Sequence, residues 1–288
     1  MPDKVPTEKF DKKATRQHFE RAANSYDAAA VLQREIAKRM GERLDFIKLQ
    51  PKAVLDAGCG TGFITQDLLK RYPKSHILAL DFAFNMAHKT KKEQGSWLRK
   101  PKAICGDAEQ LPLKAESVDL IISNLMIQWS NDLNKIFTGF HSVLAPNGLL
   151  LFSTFGPDTL KEMRESWASV DNTPHTSDFV DMHEIGDALL KAGFINPVTD
   201  MELITMTYSN VRQLMKDIKQ IGASNTDSNR SKGLMGKQKL KAFEQAYEQF
   251  KTPEGLYPAS WEVIYGHAWV GEGLKLDGFE KVIPIQLV

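Results

Sequence analysis

The sequence predicts an α/β protein built on a doubly wound, mostly parallel sheet, and two observations support this prediction. Short apolar segments recur along the first half of the chain, and helical stretches lie between most of them. Continuous apolar runs are typical of parallel strands buried on both faces, and their alternation with helices is typical of a sheet covered on both sides. The apolar segments are 53–56, 77–81, 103–107, 118–124 and 149–154.

Before the first of these segments, residues 1–48 have the pattern of a separate helical segment. Apolar residues recur at helical spacing between Ala28 and Phe46. Residues 24–27 interrupt the pattern and predict a turn or a helix cap. We expect this segment to cover the functional site.

After residue 154 the alternation loosens, and a long polar stretch interrupts the sheet. Residues 159–170 and 183–192 are predicted as helices, and a strand is expected at about 198–208. Residues 209–256 read as a helical insertion with a loop near 223–229 before strand character returns at 261–270. The predicted organisation is a core of 49–208 and 257–288, with 209–256 as a helical lid.

Composition excludes several classes of partner. Hydrophobic residues make up 42% and charged residues 25% of the 288-residue chain, which is typical of a soluble globular protein. A net charge of +1 argues against nucleic acid as a partner, because such binding relies on positive charge. No run of 18 apolar residues occurs, so a membrane is not expected as a partner either.

The two cysteines indicate a reducing compartment. Cys59 and Cys105 are not at Cys-x-x-Cys spacing, which predicts neither a disulfide framework nor a zinc site, and we expect no metal. Residues 1–10 are polar and lack the apolar segment of a signal peptide. The expected location is therefore cytoplasmic.

The strongest functional signal is a glycine-rich turn. An apolar strand ending at Asp56 is followed by Gly58, Gly60 and Gly62 at alternate positions and then by a helix. Glycine permits positive φ angles and close approach of a ligand, and the helix N-terminus favours an anionic group. A packing turn is the alternative, so the assignment depends on the neighbouring residues.

Acidic residues at the ends of the next two apolar segments supply this context. Asp81 can accept hydrogen bonds from both hydroxyls of a ribose, although a helix N-cap is the alternative. Asp107 can accept a hydrogen bond from the amino group of adenine, although an ordinary acidic turn residue is the alternative. Phe63 occupies the third-glycine position of the dinucleotide fingerprint, and no Walker lysine follows. The pattern favours a nucleoside site without a pyrophosphate cradle.

These motifs resemble those of class I S-adenosylmethionine-dependent methyltransferases. The resemblance rests on 56–62, Asp81, 106–112 and 137–148, in that order. It implies a seven-stranded Rossmann-like sheet and S-adenosyl-L-methionine as cofactor. In that family the glycine turn holds the methionine end of the cofactor. The acid after the second strand binds its ribose, and the acid after the third strand binds its adenine. The cofactor-binding residues it implies here are Asp56, Gly58, Gly60, Gly62, Asp81, Phe82, Met86, Asp107, Ala108 and Asn124.

A finer resemblance covers nearly the whole chain. It is to the malonyl-[acyl-carrier-protein] O-methyltransferase family of biotin biosynthesis. It implies esterification of the free carboxylate of a malonyl thioester carried on an acidic acyl carrier protein. The segments that carry it are 19–27, 123–129, 152–160 with Arg164, 183–187, 192–194 and 264–269.

Four residues are predicted to assist the reaction. A carboxylate is already a nucleophile at neutral pH, so the site has to position it in line with the S–CH₃ bond and exclude water. Trp129 is predicted to wall the pocket and Gln128 to donate a hydrogen bond, while Tyr26 closes over the cofactor. Arg164 is the predicted cation for the substrate carboxylate. Core packing, a capping turn and a solvated helix face are the alternatives for Trp129, Tyr26 and Arg164.

An acidic carrier protein requires a basic docking face, and the sequence offers three basic clusters. The clusters are Lys12, Lys13, Arg16 and Arg21; Lys232, Lys237, Lys239 and Lys241; and Lys89, Lys91 and Lys92. We favour the first two of these clusters, because they flank the predicted lid, although runs of charged residues are usually solvated faces.

Three competing functions stay open on the sequence. A mitochondrial complex I assembly factor that hydroxylates arginine resembles this family over a similar length and also binds S-adenosylmethionine. The intact glycine turn and residues 153–157 favour methyl transfer instead. The second is methyl transfer to a different small acid or to a quinone precursor. The third is a non-catalytic module that only binds the cofactor.

Overall fold

A seven-stranded sheet organises the chain in a computed structural model that describes residues 9–223, 225–227 and 236–271. The predicted class, a doubly wound and mostly parallel α/β sheet, is confirmed. Its strands are β1 (Ala53–Ala57), β2 (His76–Asp81), β3 (Lys102–Cys105), β4 (Val118–Asn124), β5 (Leu144–Phe155), β6 (Phe194–Tyr208) and β7 (Tyr257–Val270).

Helices connect and flank the strands of the described residues. The predicted helical character of the N-terminal segment and of the insertion is present in α1 to α3 and in α9 and α10. The helices are α1 (Lys12–Ala22), α2 (Tyr26–Ala29), α3 (Val31–Leu44), α4 (Phe63–Arg71), α5 (Phe84–Glu93), α6 (Leu133–Val143), α7 (Lys161–Ala168), α8 (Met182–Lys191), α9 (Val211–Gln220) and α10 (Lys237–Tyr247).

The strand order places a ligand crevice at one edge of the sheet. The order is β3-β2-β1-β4-β5-β7-β6, with β1 to β5 parallel and β7 antiparallel to both of its neighbours. The connections change direction between β1 and β4, and ligands bind beside such a switch point at the carboxyl ends of the strands. The glycine turn after β1 and the acid that ends β2 therefore meet at one edge.

Two apolar layers hold the helices against the sheet. On one face, α3, α4, α7, α9 and α10 pack around buried side chains such as Ile36, Leu68 and Phe243. On the other face, α6 and α8 pack around Phe137, Phe140 and other buried side chains. No helix among the described residues has both the length and the apolar character needed to cross a bilayer.

Three strands begin earlier than the apolar pattern predicts. β5 starts at Leu144 instead of 149, because its first residues include Pro146, Asn147 and Gly148, which read as a turn. Asn147 has a φ of 61°, and the pairing of β4 with β5 shifts register at this point. β6 and β7 also start about four residues early. Residues 272–288 of the predicted core lie outside the described residues.

Candidate active site

The glycine turn links β1 to α4 through three glycines with positive φ. The φ angles are 80° at Gly58, 53° at Gly60 and 94° at Gly62. The backbone amides of Gly58 and Cys59 donate to the carbonyl oxygen of Leu80, at 2.8 and 2.9 Å. The turn is therefore fixed against the end of β2, where the predicted ribose acid lies.

Asp81 is buried and bonded directly to this turn. Its Oδ2 accepts from the amide of Gly60 at 3.0 Å, and its Oδ1 accepts from the amide of Ala83 at 2.8 Å. Only 8% of the residue is exposed. Because both bonds fix the carboxylate at the cavity wall, Asp81 is oriented before any ligand binds.

A cavity of about 760 Å³ opens beside the turn and brings together most of the predicted site residues. The predicted residues that line it are Tyr26, Gly58, Gly60, Asp81, Phe82, Met86, Asp107, Ala108, Asn124 and Trp129.

Asp56 and Gly62 are not among the residues that line the cavity. Asp56 is buried at the end of β1 and accepts a hydrogen bond from the hydroxyl of Thr65. Gly62 begins α4, and a Cβ there would lie 2.5 Å from the Cγ of Gln94. Both residues support the turn from behind.

Aromatic residues of the N-terminal segment close the cavity. The ring of Phe19 on α1 meets Trp129 edge-on with centroids 5.4 Å apart, and it meets Phe82 at 6.1 Å. Phe10 packs on the other side of Trp129 at 6.1 Å. The edge-to-face pairs of Phe19 are favourable arrangements, and this aromatic cluster covers one side of the cavity.

Asp107 follows β3 and forms an ion pair that was not predicted from the sequence. Lys12 of α1 donates to Oδ2 of Asp107 and lies near Oε2 of Glu109, each at 2.7 Å. Glu109 also accepts from the hydroxyl of Ser130 and the amide of Asn131, at 2.8 Å each. Lys12 therefore ties the N-terminal segment to the predicted adenine end and to the loop after β4.

We expect Lys12→Met to weaken binding of S-adenosylhomocysteine roughly two- to fivefold, because a partly exposed ion pair contributes only about 0.4–1 kcal/mol. Calorimetry without any carrier protein measures this affinity. Lys13→Met, one residue away and exposed, is the matched control and should bind as the unmodified chain does. Equal affinities of the two variants would contradict a role for Lys12 at the cofactor.

Two carboxylates beside the turn have raised pKa values. Burial raises the pKa of Asp56 to about 7, with the bond from Thr65 opposing and the charge of Asp81 adding to the rise. Burial raises the pKa of Asp81 to about 6, against the hydrogen bonds from the amides of Ala83 and Gly60. A cation bound nearby would favour the ionised form of both.

Binding of S-adenosylmethionine should therefore release protons near neutral pH. The cofactor carries a sulfonium and an ammonium group, which lower the pKa of nearby carboxylates and displace their protons. The affinity should accordingly rise with pH between about 6 and 7. Calorimetry in buffers of different ionisation enthalpy counts the protons, and Asp81→Asn should reduce the count. Proton uptake on binding would contradict the expectation.

Tyr26 and Asn124 lie at the part of the cavity that faces β4. Burial, together with the charges of Asp81 and Asp27, raises the pKa of Tyr26 well above its usual value, so its hydroxyl stays protonated. Asn124 donates to the carbonyl of Gln33 at 3.2 Å and accepts from the hydroxyl of Ser153 at 2.8 Å. The side chain of Asn124 is therefore positioned by the protein itself.

Backbone strain accompanies this arrangement. Leu125 lines the cavity with a φ of 51°, although it is not glycine. Its amide donates to the backbone oxygen and to the hydroxyl oxygen of Ser153, at 3.1 Å each. Residues held in this conformation are concentrated at functional sites.

Gln128 and Arg164 are not among the residues that line the main cavity. Gln128 donates to the carbonyl of Leu125 at 2.8 Å and accepts from Thr154. It lines a second cavity of about 580 Å³, which shares Ser130 with the first. Arg164 donates to the carbonyl oxygens of Pro157 and Thr159. The catalytic roles of both residues stay predictions.

Several lining residues were not predicted from the sequence. Lys12, Thr15 and Phe19 come from α1, and Met126 follows β4. For Phe19 a signal existed, since it begins the segment 19–27 that carries the family resemblance. Lys12 was assigned from the sequence to a basic docking cluster and not to the cavity, because a lysine on a polar helix is usually a solvated residue.

The residues present fit an adenosyl cofactor. A Cβ at Gly60 would meet no atom within 4 Å, so the turn leaves open space for a ligand at this point. Asp81 offers an acceptor beside it, and apolar walls such as Phe82 and Met86 suit a planar base.

Comparison with known proteins gives the same assignment. A family model described as a methyltransferase domain matches residues 55–152. A malonyl-[acyl-carrier protein] O-methyltransferase of Gallionella capsiferriformans is 50% identical over 266 residues, which cover 90% of this chain and 91% of that protein. A protein of the same name from Legionella pneumophila is 39% identical over 271 residues, which cover 94% and 95%.

Solved structures agree in fold. The YcgJ protein of Bacillus subtilis superposes with a TM-score of 0.58 at 16% identity, covering 81% of this chain and 98% of that one. A methyltransferase of Thermotoga maritima gives a TM-score of 0.51 at 18% identity, covering 88% and 99%. The chain is an S-adenosylmethionine-dependent methyltransferase, and it belongs to the malonyl-[acyl-carrier protein] O-methyltransferase family.

Proposed function

We propose that the protein esterifies the free carboxylate of a malonyl group carried on an acyl carrier protein, as a step of biotin biosynthesis. The observation that carries the proposal is the identity of 39–50% over about 90% of the chain with curated relatives of that name. These relatives do not favour the arginine-hydroxylase alternative.

The chemistry needs positioning more than proton transfer. The bound cofactor supplies an electrophilic methyl group. The acceptor carboxylate is ionised at neutral pH, so a general base has no proton to remove. The protein's contribution is to hold the oxygen at the methyl group and to keep water out. The aromatic closure by Phe19, Trp129 and Phe10 supports the second requirement.

The main cavity offers no unpaired cation among its described lining residues to hold the acceptor carboxylate. Lys12 is the one basic residue among the described lining residues, and two carboxylates already pair with it. A tight cation would stabilise the acceptor carboxylate and lower its nucleophilicity. The protonated hydroxyl of Tyr26 is a weaker donor that we assign to orient the acceptor or the cofactor. Arg164 serves the carboxylate only if it leaves the carbonyls of Pro157 and Thr159.

We assign the second cavity to the approach of the acyl chain. It is lined by Gln128, Thr154 and Asn131, whose polar groups suit a thioester and its amide-containing arm, and by Phe179. The rings of Phe10 and Trp129 separate it from the main cavity. Their movement would join the two spaces.

For the carrier protein we propose docking on α1. Lys13 and Arg16 are exposed there and line a shallow cleft next to Asp107. Lys12 of the same cluster is committed to Asp107 and Glu109. In the second cluster Lys239 pairs with Asp171, and Lys232 lies outside the described residues.

Charge reversal of this face should impair the use of malonyl carrier protein but leave cofactor binding unchanged. We expect the double variant Lys13→Glu with Arg16→Glu to raise the KM for malonyl carrier protein by about tenfold or more, because like charges then oppose each other. The affinity for S-adenosylhomocysteine should stay within about twofold, a small free-energy change. Lys191→Glu, at an exposed position on α8, is the control. An unchanged KM in the double variant would exclude this face.

The lid role of 209–256 also belongs to the proposal. Thr226 of this insertion accepts from the amide of Asp11 at 3.0 Å and bonds the hydroxyl of Thr15 at 2.8 Å. Because Thr15 lines the main cavity, the insertion is connected to the segment that covers the site. A cytoplasmic location is proposed on the two free cysteines.

A direct assay tests the function. The purified chain is incubated with malonyl carrier protein and S-adenosylmethionine labelled in the methyl group. We expect base-labile label on the malonyl group and none on acetyl carrier protein, which lacks the free carboxylate. Label on a free acid or a protein arginine, or no transfer at all, would contradict the proposal.

A further inference from the structure

The three most exposed large apolar side chains of the described residues lie on two segments that are both attached to the C-terminal end of α4. Phe46, Trp97 and Leu98 are 90%, 88% and 76% exposed, whereas the next most exposed is 56%. Asp45, beside Phe46, pairs with Arg71 at the C-terminus of α4. The loop that carries Trp97 and Leu98 is attached to the same helix end. Exposed apolar groups gathered in one place indicate an interaction surface.

The loop is a fixed turn with its apolar residues at the tip. The amide of Ser96 donates to the carbonyl of Arg99 at 2.9 Å, and the reverse bond is 3.2 Å. The guanidinium of Arg99 donates to the carbonyl oxygen of Leu69 in α4, and to those of Tyr72 and Ser75 at 2.6 and 3.1 Å. Trp97 and Leu98 are therefore the two central residues of a closed turn anchored to α4. Their side chains are exposed, while the backbone that carries them is held by hydrogen bonds.

A strong positive charge surrounds these side chains. Segments 42–52, 67–76 and 91–102 contain eleven Lys and Arg against four Asp and Glu, whereas the whole chain has a net charge of only +1. The lysines of this set are all exposed; they are Lys48, Lys52, Lys70, Lys74, Lys91, Lys92, Lys100 and Lys102.

The topology puts this surface opposite the active site. The three segments directly precede or overlap the first residues of β1, β2 and β3, which are adjacent and parallel. The starts of these strands lie at the amino edge of the sheet, while Asp81 lies at the carboxyl edge. Within segment 91–102, Gln94 reaches back to the glycine turn, where its Nε2 donates to the carbonyl of Thr61 at 2.9 Å. A partner bound here leaves the cofactor cavity and the second cavity open.

We propose that this amino-edge surface binds the headgroup region of an anionic lipid bilayer. Exposed Trp and Leu side chains with lysines on the neighbouring segments suit the surface of a bilayer. The apolar side chains can enter the acyl region, and the lysines can contact the anionic headgroups. A protein partner would instead need pockets for three separate projections. A membrane partner was not expected from the sequence, because the chain lacks a long apolar run. Such a run is needed to span a bilayer, and a few projecting side chains suffice to adsorb to one.

Flotation of the full chain with vesicles tests the proposal, independently of methyl transfer. We expect binding to vesicles of equal phosphatidylglycerol and phosphatidylcholine, loss of binding at about 500 mM salt, and none to phosphatidylcholine alone. Trp97→Ser with Leu98→Ser should lower the partition coefficient at least about tenfold, because two apolar side chains no longer leave water. Lys92→Glu with Lys100→Glu should also lower it.

Matched changes on α8 provide the control. Leu190 is exposed and Lys191 follows it, so Leu190→Ser with Lys191→Glu should float as the unmodified chain does. Absence of binding to the anionic vesicles would overturn the proposal. So would equal loss in the α8 variant, or displacement by a stoichiometric amount of malonyl carrier protein, which would assign the surface to that acidic protein.

Discussion

Replacing Asp81 by alanine should weaken cofactor binding by at least roughly 100-fold, about 2.7 kcal/mol. Two hydrogen bonds to a charged acceptor contribute on the order of 3–6 kcal/mol before water and relaxation reduce this figure. The carboxylate also accepts from the amide of Gly60, so its removal frees the glycine turn as well. Calorimetry with S-adenosylhomocysteine, which does not react, measures the loss.

Asp81→Asn separates the two effects. The amide keeps the shape and one acceptor oxygen, so it can retain one of the bonds from Gly60 and Ala83. We expect an intermediate loss of affinity, and a weaker dependence of the affinity on pH near 6, because Asp81 no longer titrates while Asp56 still does. Asp67→Asn, at an exposed site on α4, should bind normally. Unchanged affinity in Asp81→Ala would remove this residue from the site.

The parallel part of the fold was predictable from the sequence because strands buried on both faces are short apolar segments that are easy to recognise. The strands β1, β2 and β4 contain short apolar runs, and most of their residues are buried in the structure. The start of β5 was not predictable, since it passes through Pro146, Asn147 and Gly148 and keeps its pairing only through a register shift. Helix α5 was not predicted either, because its lysine-rich sequence leaves few apolar positions to count.

The cofactor side of the site was predictable for a similar reason. Gly60, Asp81 and Asp107 follow successive parallel strands, and the sheet itself brings such positions to one edge. The contribution of the N-terminal segment was not predictable, because it depends on contacts across more than 90 residues, such as Lys12 with Asp107. Local periodicity carries no information on contacts of this range.

Gly58→Ala and Gly60→Ala should fail in different ways, although the two glycines are two residues apart. At Gly58 the φ is 80° and a Cβ would lie 2.3 Å from the Cγ of Met126, close to its backbone. Left-handed strain of about 1–2 kcal/mol adds to overpacking of about 1–3 kcal/mol. We expect the free energy of unfolding of Gly58→Ala to fall by about 3 kcal/mol, so that the variant unfolds at a lower temperature than the unmodified chain.

At Gly60 the φ is 53° and a Cβ would meet nothing within 4 Å, because the neighbouring space is the cavity. The unfolding free energy should fall only by the strain of about 1–2 kcal/mol. Cofactor affinity should fall more steeply, by about tenfold or more, because the methyl group occupies space that a tightly packed ligand needs. Denaturant unfolding without ligand and calorimetry with S-adenosylhomocysteine give the two quantities for each variant. The ratio of lost affinity to lost stability must be larger for Gly60→Ala than for Gly58→Ala. The reverse order would mean that the ligand does not lie against Gly60, and the adenosyl assignment of this cavity would be wrong.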